Sequence, residues 1–182
     1  MASLPAFDIL NSEAEFFSAV NVLFETAPPL AKKLYEMKKH FRSYDDVISA
    51  ASKILSKLSD QDRLEVINAH PRIGVKPDSA GLSAMSYIEQ GLSKEAKVTA
   101  EEEKVKIARV YEELGSLNAE YEKTFGFKFV VFVNGRSKAE LIPVLKERLK
   151  NPASSELNTG LEAMILIARD RLKKLKVQSS KM

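Results

Sequence analysis

Five Ser/Thr-x-x-Asp/Glu boxes punctuate the chain: Ser12 with Glu15, Ser43 with Asp46, Ser59 with Asp62, Thr99 with Glu102 and Ser137 with Glu140. Each can satisfy two amide donors that a helix start leaves unpaired, because the hydroxyl accepts from the third helical N–H while the carboxylate reaches back. Apolar residues then recur at helical spacing, as in Phe16, Phe17, Val20, Phe24 and in Val47, Ile48, Ala51, Ile54, Leu55, Leu58. The boxes and spacing predict helices from Ser12, over 43–58 and 59–68, and from Thr99 and Ser137. Pro28-Pro29 opens a short helix through Met37, and a last helix runs from about Ser155 to Lys176. The expected fold is all-α. A chain of 182 residues without a Pro/Gly/Ser-rich linker can bury one sizeable core, so a single compact multi-helix domain is expected over 1–176, with a flexible tail at 177–182.

One stretch breaks the pattern. Phe127, Phe129, Val130, Val131, Phe132 and Val133 lie between Gly126 and Gly135, an apolar run that reads as a buried strand or a buried extended segment. With no second strand-like run to pair with, it is expected to be one short extended segment near 127–133 inside a helical domain. Its backbone groups then need partners, either a ligand or neighbouring loops and water. In the last helix Leu157, Leu161, Met164, Ile165, Ala168, Leu172 and Leu175 form one stripe. At 100° per residue Arg171 lies about 65° from the stripe's centre and Arg169 about 95°, which sets Arg171 nearer the buried edge. Arg148 falls within the stripe of Leu141, Ile142, Leu145 and Leu149. Either arginine can meet a buried anion or an internal carboxylate, and for Arg148 the internal salt bridge is the favoured reading.

Composition removes several classes of function. With 28 Lys+Arg against 25 Asp+Glu the net charge is +3, and the charges are interspersed apart from Lys173, Lys174, Lys176 and Lys181, so no nucleic-acid footprint emerges. The helices over 43–58 and 59–68 suggest a helix-turn-helix, but their turn lacks glycine and the second offers only Arg63 as a base reader. The absence of cysteine excludes disulfides, thiolate catalysis and thiolate metal sites, and the two histidines, His40 and His70, make a transition-metal site improbable. Phosphate-loop and dinucleotide glycine patterns are missing. No apolar stretch approaches the ~20 residues of a membrane span, and Met1 to Asp8 lack the form of a signal peptide. Ser180-Lys181-Met182 resembles the Ser-Lys-Leu tripeptide read by the peroxisomal import receptor.

What remains is a set of His, Glu, Gln and Arg suited to acid–base work on a small polar anion. His70 ends an apolar run (Leu64, Val66, Ile67) where Pro71 forces the backbone out of helix, so its imidazole either caps the helix or projects from a fixed element into a cleft. The loop from Gly74 to Gly81, holding Pro77 and Asp78, separates it from Ser86-Tyr87-Ile88-Glu89-Gln90.

The strings His70-Pro71, Ser86-x-x-Glu89-Gln90, Leu117-Asn118-x-x-Tyr121, Phe125-Gly126-Phe127-x-Phe129-Val130, Gly135-Arg136-Ser137 and Arg171-Leu172 together resemble the OHCU decarboxylases, from about Leu10 to Leu175. Those enzymes release CO2 from 2-oxo-4-hydroxy-4-carboxy-5-ureidoimidazoline to give (S)-allantoin at the end of urate breakdown. The resemblance implies an all-α fold, no cofactor and no metal, a homodimer, and peroxisomal rather than cytoplasmic residence through Ser180-Lys181-Met182 and the import receptor. It makes His70 the catalytic histidine and Glu89 its catalytic partner. Pro71, Ser86, Tyr87, Ile88, Glu89 and Gln90 become substrate contacts, Phe129, Val130, Val131, Phe132 and Val133 a stretch offering backbone contacts, and Arg171 an arginine facing the substrate. Arg72, Lys128 and Asn134 depart from the family pattern, and the helix beginning at Thr99 looks longer than usual; none of these touches the His, Glu, Gln and Arg set. Two rivals share the helical signals: a catalytically silent protein-interaction module on the same fold, and a helical DNA-binding domain, which the near-neutral charge disfavours.

Overall fold

The computed structural model describes residues 3–25, 27–75, 82–95 and 97–177. Nine α-helices occur among them: α1 (Glu13–Phe24), α2 (Pro28–Glu36), α3 (Tyr44–Leu55), α4 (Asp60–Ala69), α5 (Ala84–Glu89), α6 (Leu92–Glu95), α7 (Glu101–Phe125), α8 (Lys138–Arg148) and α9 (Ala153–Lys174). The all-α expectation holds. A two-residue strand at each end, β1 (Ser3–Leu4) and β2 (Lys176–Val177), pairs in parallel, a detail no sequence signal announces. The loop residues Pro77 and Asp78 and the Ser180-Lys181-Met182 tripeptide lie outside the described residues.

Three of the boxes close in full. Ser12, Ser43 and Ser137 each accept from the third helical N–H, and Glu15, Asp46 and Glu140 return the bond to the cap residue's own N–H. Those backbone and hydroxyl hydrogen bonds hold all three carboxyls below their ordinary range. Ser59 makes the first half of the box, with its hydroxyl engaging Asp62 from both sides at 3.1 and 2.8 Å. The box at Thr99 does not form: Ala100 is the cap of α7 and provides no side-chain bond. Glu101, Glu102 and Glu103 sit instead in the first turn, where negative charge suits the positive end of the helix dipole. At 25 residues α7 is as long as its sequence suggests, but its buried side chains begin only at Leu114.

The chain divides into two compact units, one from the residues up to His70 together with those from Leu161 onward, the other from Pro71 to Gly160. In the first unit α2 packs on α1, α3 and α4. Its core includes Phe16, Val20, Leu23, Leu30, Leu34, Val47, Ile48, Val66 and Ile67, with Met164 and Ala168 from the stripe of α9. Arg171, at 1% exposure, is also buried there, whereas Arg169 is exposed, as the helical wheel requires.

In the second unit α7 packs along α8. Residues 127–133 form neither helix nor strand, so the run joins no sheet, as the missing partner strand predicts. They are held by a polar cluster rather than by a sheet. Glu156, with no solvent exposure, accepts from Tyr121 Oη, from Arg148 Nε at 2.6 Å and from Asn151 Nδ2 at 2.7 Å. Arg148 also donates from Nη1 to the carbonyl of Val130 at 2.7 Å and lies 4.8 Å from the centroid of the Phe129 ring. The internal salt bridge favoured for Arg148 is therefore present. Burial, reinforced by the bond to Glu156, pushes the Tyr121 phenol well above its ordinary pKa, so it remains a donor. Around it Phe125, Phe127 and Phe129 pack with ring centroids 4.6, 5.8 and 5.2 Å away. A single carboxylate thus ties α7, the extended segment, the end of α8 and the start of α9. Glu156→Ala leaves the Arg148 guanidinium without its counter-charge in a largely dry site, and the expected loss is about 3–5 kcal/mol, read as a lowered urea midpoint with unchanged slope.

Candidate active site

α4 ends because Pro71 disfavours helical backbone in the residue before it, and His70 accordingly turns extended at φ −66, ψ 142. His70 is the C-cap residue of α4, its N–H bonded to the carbonyl of Ile67, and at 3% exposure it is not a surface residue; the other histidine, His40, is exposed in a short 3-10 turn. The loop that follows, within the second unit, is tied at four points. Arg72 forks onto Glu122 of α7, with Nε and Nη2 each 2.5 Å from a carboxylate oxygen. Asn118 of α7 donates to the carbonyl of Ile73 at 3.0 Å. Gln90 supplies the other two bonds: its Nε2 donates to the carbonyl of Arg72 at 3.2 Å, and its Oε1 accepts from the N–H of Gly74 at 3.0 Å. Because Arg72 is half exposed, its ion pair adds little energy and mainly orients the loop. The Gln90 and Asn118 bonds are sheltered and fix the backbone itself.

Gln90 is the C-cap of α5, whose N-terminus is closed by Ser83 accepting from the N–H of Ser86 at 3.1 Å. Along this helix Ser86 and Gln90 are buried, Tyr87 and Glu89 are half-buried, and Ile88 is 63% exposed. The carbonyl of Gln90 receives a further bond from Lys138 Nζ at 2.5 Å.

Within 129–133, Phe129 and Val130 are buried, and Val131, Phe132 and Val133 half-buried. Three carbonyls are engaged, that of Val130 by Arg148 and those of Phe132 and Val133 by Arg136 Nη2 and Nε at 2.5 and 3.0 Å. Asn134 and Gly135, at φ 49 and 76, make the left-handed turn that brings Arg136 back. Among the described residues no backbone N–H of 129–133 donates to a backbone carbonyl, so the segment retains donors of the kind that a polar ring carbonyl accepts.

Arg171, in the first unit, closes the C-terminal end of α1. Its Nη1 donates to the carbonyls of Val22 and Leu23 at 3.2 and 3.5 Å, and Nη2 pairs with Glu25 at 2.8 Å. A guanidinium is well placed at the negative end of a helix. Among the described residues no three His, Asp or Glu side chains gather to hold a metal ion.

The profile of OHCU decarboxylases matches residues 11–173. The chain belongs to the OHCU decarboxylase family. It is similar to the 2-oxo-4-hydroxy-4-carboxy-5-ureidoimidazoline decarboxylase of Halalkalicoccus jeotgali, at 28% identity over 97% of this chain and 94% of that one. It is likewise 28% identical to the uric acid degradation bifunctional protein of Bacillus sp. strain TB-90, over 90% of this chain; there it spans 30% of the relative's length. Its fold matches that of an OHCU decarboxylase crystallised in the presence of (S)-allantoin with a TM-score of 0.60 and 27% identity, over 85% of this chain and 94% of that one.

Of the residues that the OHCU decarboxylase resemblance singles out, His70 and Arg171 lie in the first unit, and Pro71, Ser86 to Gln90 and Phe129 to Val133 in the second. Within the second unit the structure joins Gln90 directly to the loop begun by Pro71. The residues that sequence reasoning passed over are those that hold others: Asn118, Glu122, Lys138 and Arg136. Asn118 and Arg136 lie within the family-like strings, where sequence gives them no role, and Arg72, which departs from the family pattern, is paired with Glu122. Gly74 is the tightest point of the loop, at φ +77 with Leu114 only 3.0 Å from where a Cβ would sit. Gly126 has a similar φ of +79 but open space around it. Alanine at either site costs about 1–2 kcal/mol of left-handed strain, and Gly74→Ala should lose measurably more through the clash. Urea denaturation of the two variants compares them; equal losses would show that Leu114 yields.

Proposed function

We propose that the chain catalyses the cofactor-independent decarboxylation of 2-oxo-4-hydroxy-4-carboxy-5-ureidoimidazoline to (S)-allantoin. The observation that carries this reading is the buried His70 at the head of a loop whose backbone Gln90 fixes from α5, in a chain of the OHCU decarboxylase family. The relatives' names and the solved decarboxylase with (S)-allantoin point to the same reaction.

The substrate's own structure explains why a few polar side chains suffice. Its carboxylate sits on a carbon next to a C=N bond. As CO2 leaves, the electron pair of the broken bond forms a C=C bond, and the C=N pair moves onto nitrogen, which takes a proton. The resulting enol-like intermediate then loses its hydroxyl proton as the carbonyl forms, and the neighbouring carbon takes a proton on one face. That last event sets the S configuration. The protein must hold the carboxylate out of the ring plane and present one acid–base group from one side.

His70 serves as that group, taking the hydroxyl proton and handling its delivery to carbon. A histidine suits the task because its unperturbed pKa of ~6.5 lies near working pH. Glu89 is the second catalytic residue, holding the ureido and ring N–H groups with Gln90, whose amide keeps one further donor and acceptor beyond its loop bonds. Pro71, Ser86, Tyr87 and Ile88 complete the binding segment. Phe129 to Val133 contribute backbone donors, and Arg171 meets anionic charge. The protein acts as a homodimer and is carried to the peroxisome by the import receptor through Ser180-Lys181-Met182; the family resemblance and the tripeptide's likeness to Ser-Lys-Leu support both.

The test generates the labile intermediate from urate in situ and follows (S)-allantoin by circular dichroism. Wild-type protein should outrun the spontaneous racemic reaction, and His70→Gln should lose ~10²–10⁴ in rate while remaining folded. Near wild-type turnover in that variant would remove His70 from the mechanism. A wild-type protein that leaves the racemic rate unchanged would instead mark an interaction module on this fold.

A further inference from the structure

Lys138 is a surface residue by composition and a core residue by position. It opens α8, whose capping box at Ser137 and Glu140 gives it a rigid base, yet its side chain is only 4% exposed. A buried ammonium is costly unless its donors are all used. Here Nζ donates to the carbonyl of Gln90 at 2.5 Å and to Glu95 at 2.8 Å, and it stands 5.1 Å from the centroid of the Tyr111 ring. Tyr111 Oη donates to the other oxygen of Glu95 at 2.6 Å, so the carboxylate is held from both sides. Glu95 and Tyr111 border a cleft of 510 Å³ between α6 and the first half of α7, which keeps the carboxylate end of this cluster wet and the ammonium end dry.

What the ammonium holds is informative. The carbonyl of Gln90 belongs to the residue that caps the C-terminal end of α5, and the same residue's side chain grips Arg72 and Gly74 just beyond His70-Pro71. Fixing one end of Gln90 fixes what the other end reaches. We propose that Lys138 is a positioning residue for the decarboxylation: it locks the C-terminal end of α5, and through Gln90 it sets the loop that follows His70-Pro71 while placing Glu89, the residue before. The inference rests on the decarboxylase reading for its effect on turnover, and on the structure alone for its effect on the loop.

Lys138→Met keeps the chain length and removes the charge. In the in-situ assay the variant should lower kcat at least tenfold, raise KM by a smaller factor and reduce the excess of (S)-allantoin. The amide of Gly74, observed by hydrogen exchange in ¹⁵N NMR, should exchange at least tenfold faster. Tyr111→Phe, which deletes only the bond to Glu95, should move each readout in the same direction by less, and carries the test if Lys138→Met does not fold. A variant that melts lower but keeps wild-type kcat, KM, S excess and Gly74 protection would overturn the proposal, reducing Lys138 to a structural ion pair. If wild type itself shows no S excess, the decarboxylase reading fails. Gly74 exchange then still decides whether Lys138 sets the loop, and an unchanged rate overturns that too.

Discussion

A primary amide has one carbonyl and one NH₂ group, and on Gln90 each of them meets a main-chain partner two residues apart on the same loop. That pairing imitates what a neighbouring strand would offer, in a segment with no strand beside it. A loop held this way has few alternatives, because shifting it by one residue would leave a sheltered amide and carbonyl unmatched at about 1–3 kcal/mol each. The same loop carries the left-handed turn at Gly74 and seats the carbonyl of Ile73 against Asn118. Gln90 therefore acts on the chain that carries the histidine before it acts on any ligand.

Glu156 plays the corresponding part for the extended segment. A strand without a sheet would leave its carbonyls unpaired in an apolar setting, and arginine is the side chain best able to serve them. Arg148 satisfies Val130 while resting on Phe129, and Arg136 folds back on Phe132 and Val133. An arginine that dry needs a carboxylate, and Glu156 provides one, itself held by Tyr121 and Asn151. With the carbonyls of Val130, Phe132 and Val133 occupied by protein, the polarity that 129–133 retains leans towards its N–H donors. That is a specific polarity, suited to ring carbonyls rather than to N–H groups.

Sequence reading succeeded where the physics is local. A serine three residues ahead of a carboxylate closes a box with no help from the rest of the fold, and Ser12, Ser43 and Ser137 do so. Thr99 closes no box: α7 begins one residue later, with Ala100 as its cap, and an alanine side chain has no group to offer the helix's first N–H groups. The wheel placed Arg171 and Arg148 correctly because helical geometry alone decides which face a residue occupies. It could not show that Arg171 closes α1, since its partners include two backbone carbonyls more than a hundred residues away in sequence. The bracing contacts of Lys138 and Gln90 are illegible in the same way. Both bind main-chain groups, and every residue type carries those.

Arg171 poses the sharpest physical question about the proposed chemistry. Its charge is already matched by Glu25, and its Nη1 serves the end of α1. A second anion approaching such an arginine meets a guanidinium whose field is largely cancelled, so its attraction is weaker than that of a lone cation at the same distance. Glu25 sits in the left-handed conformation at φ 46, which a non-glycine residue adopts only when its surroundings insist, and here the pull of Arg171 supplies part of that insistence. The arrangement favours orientation over charge. Braced by the end of α1 and by Glu25, the guanidinium is fixed in place, and a firmly held cation whose charge is already matched suits a reaction in which a carboxylate leaves as neutral CO2, because it does not trap the charge that has to be released.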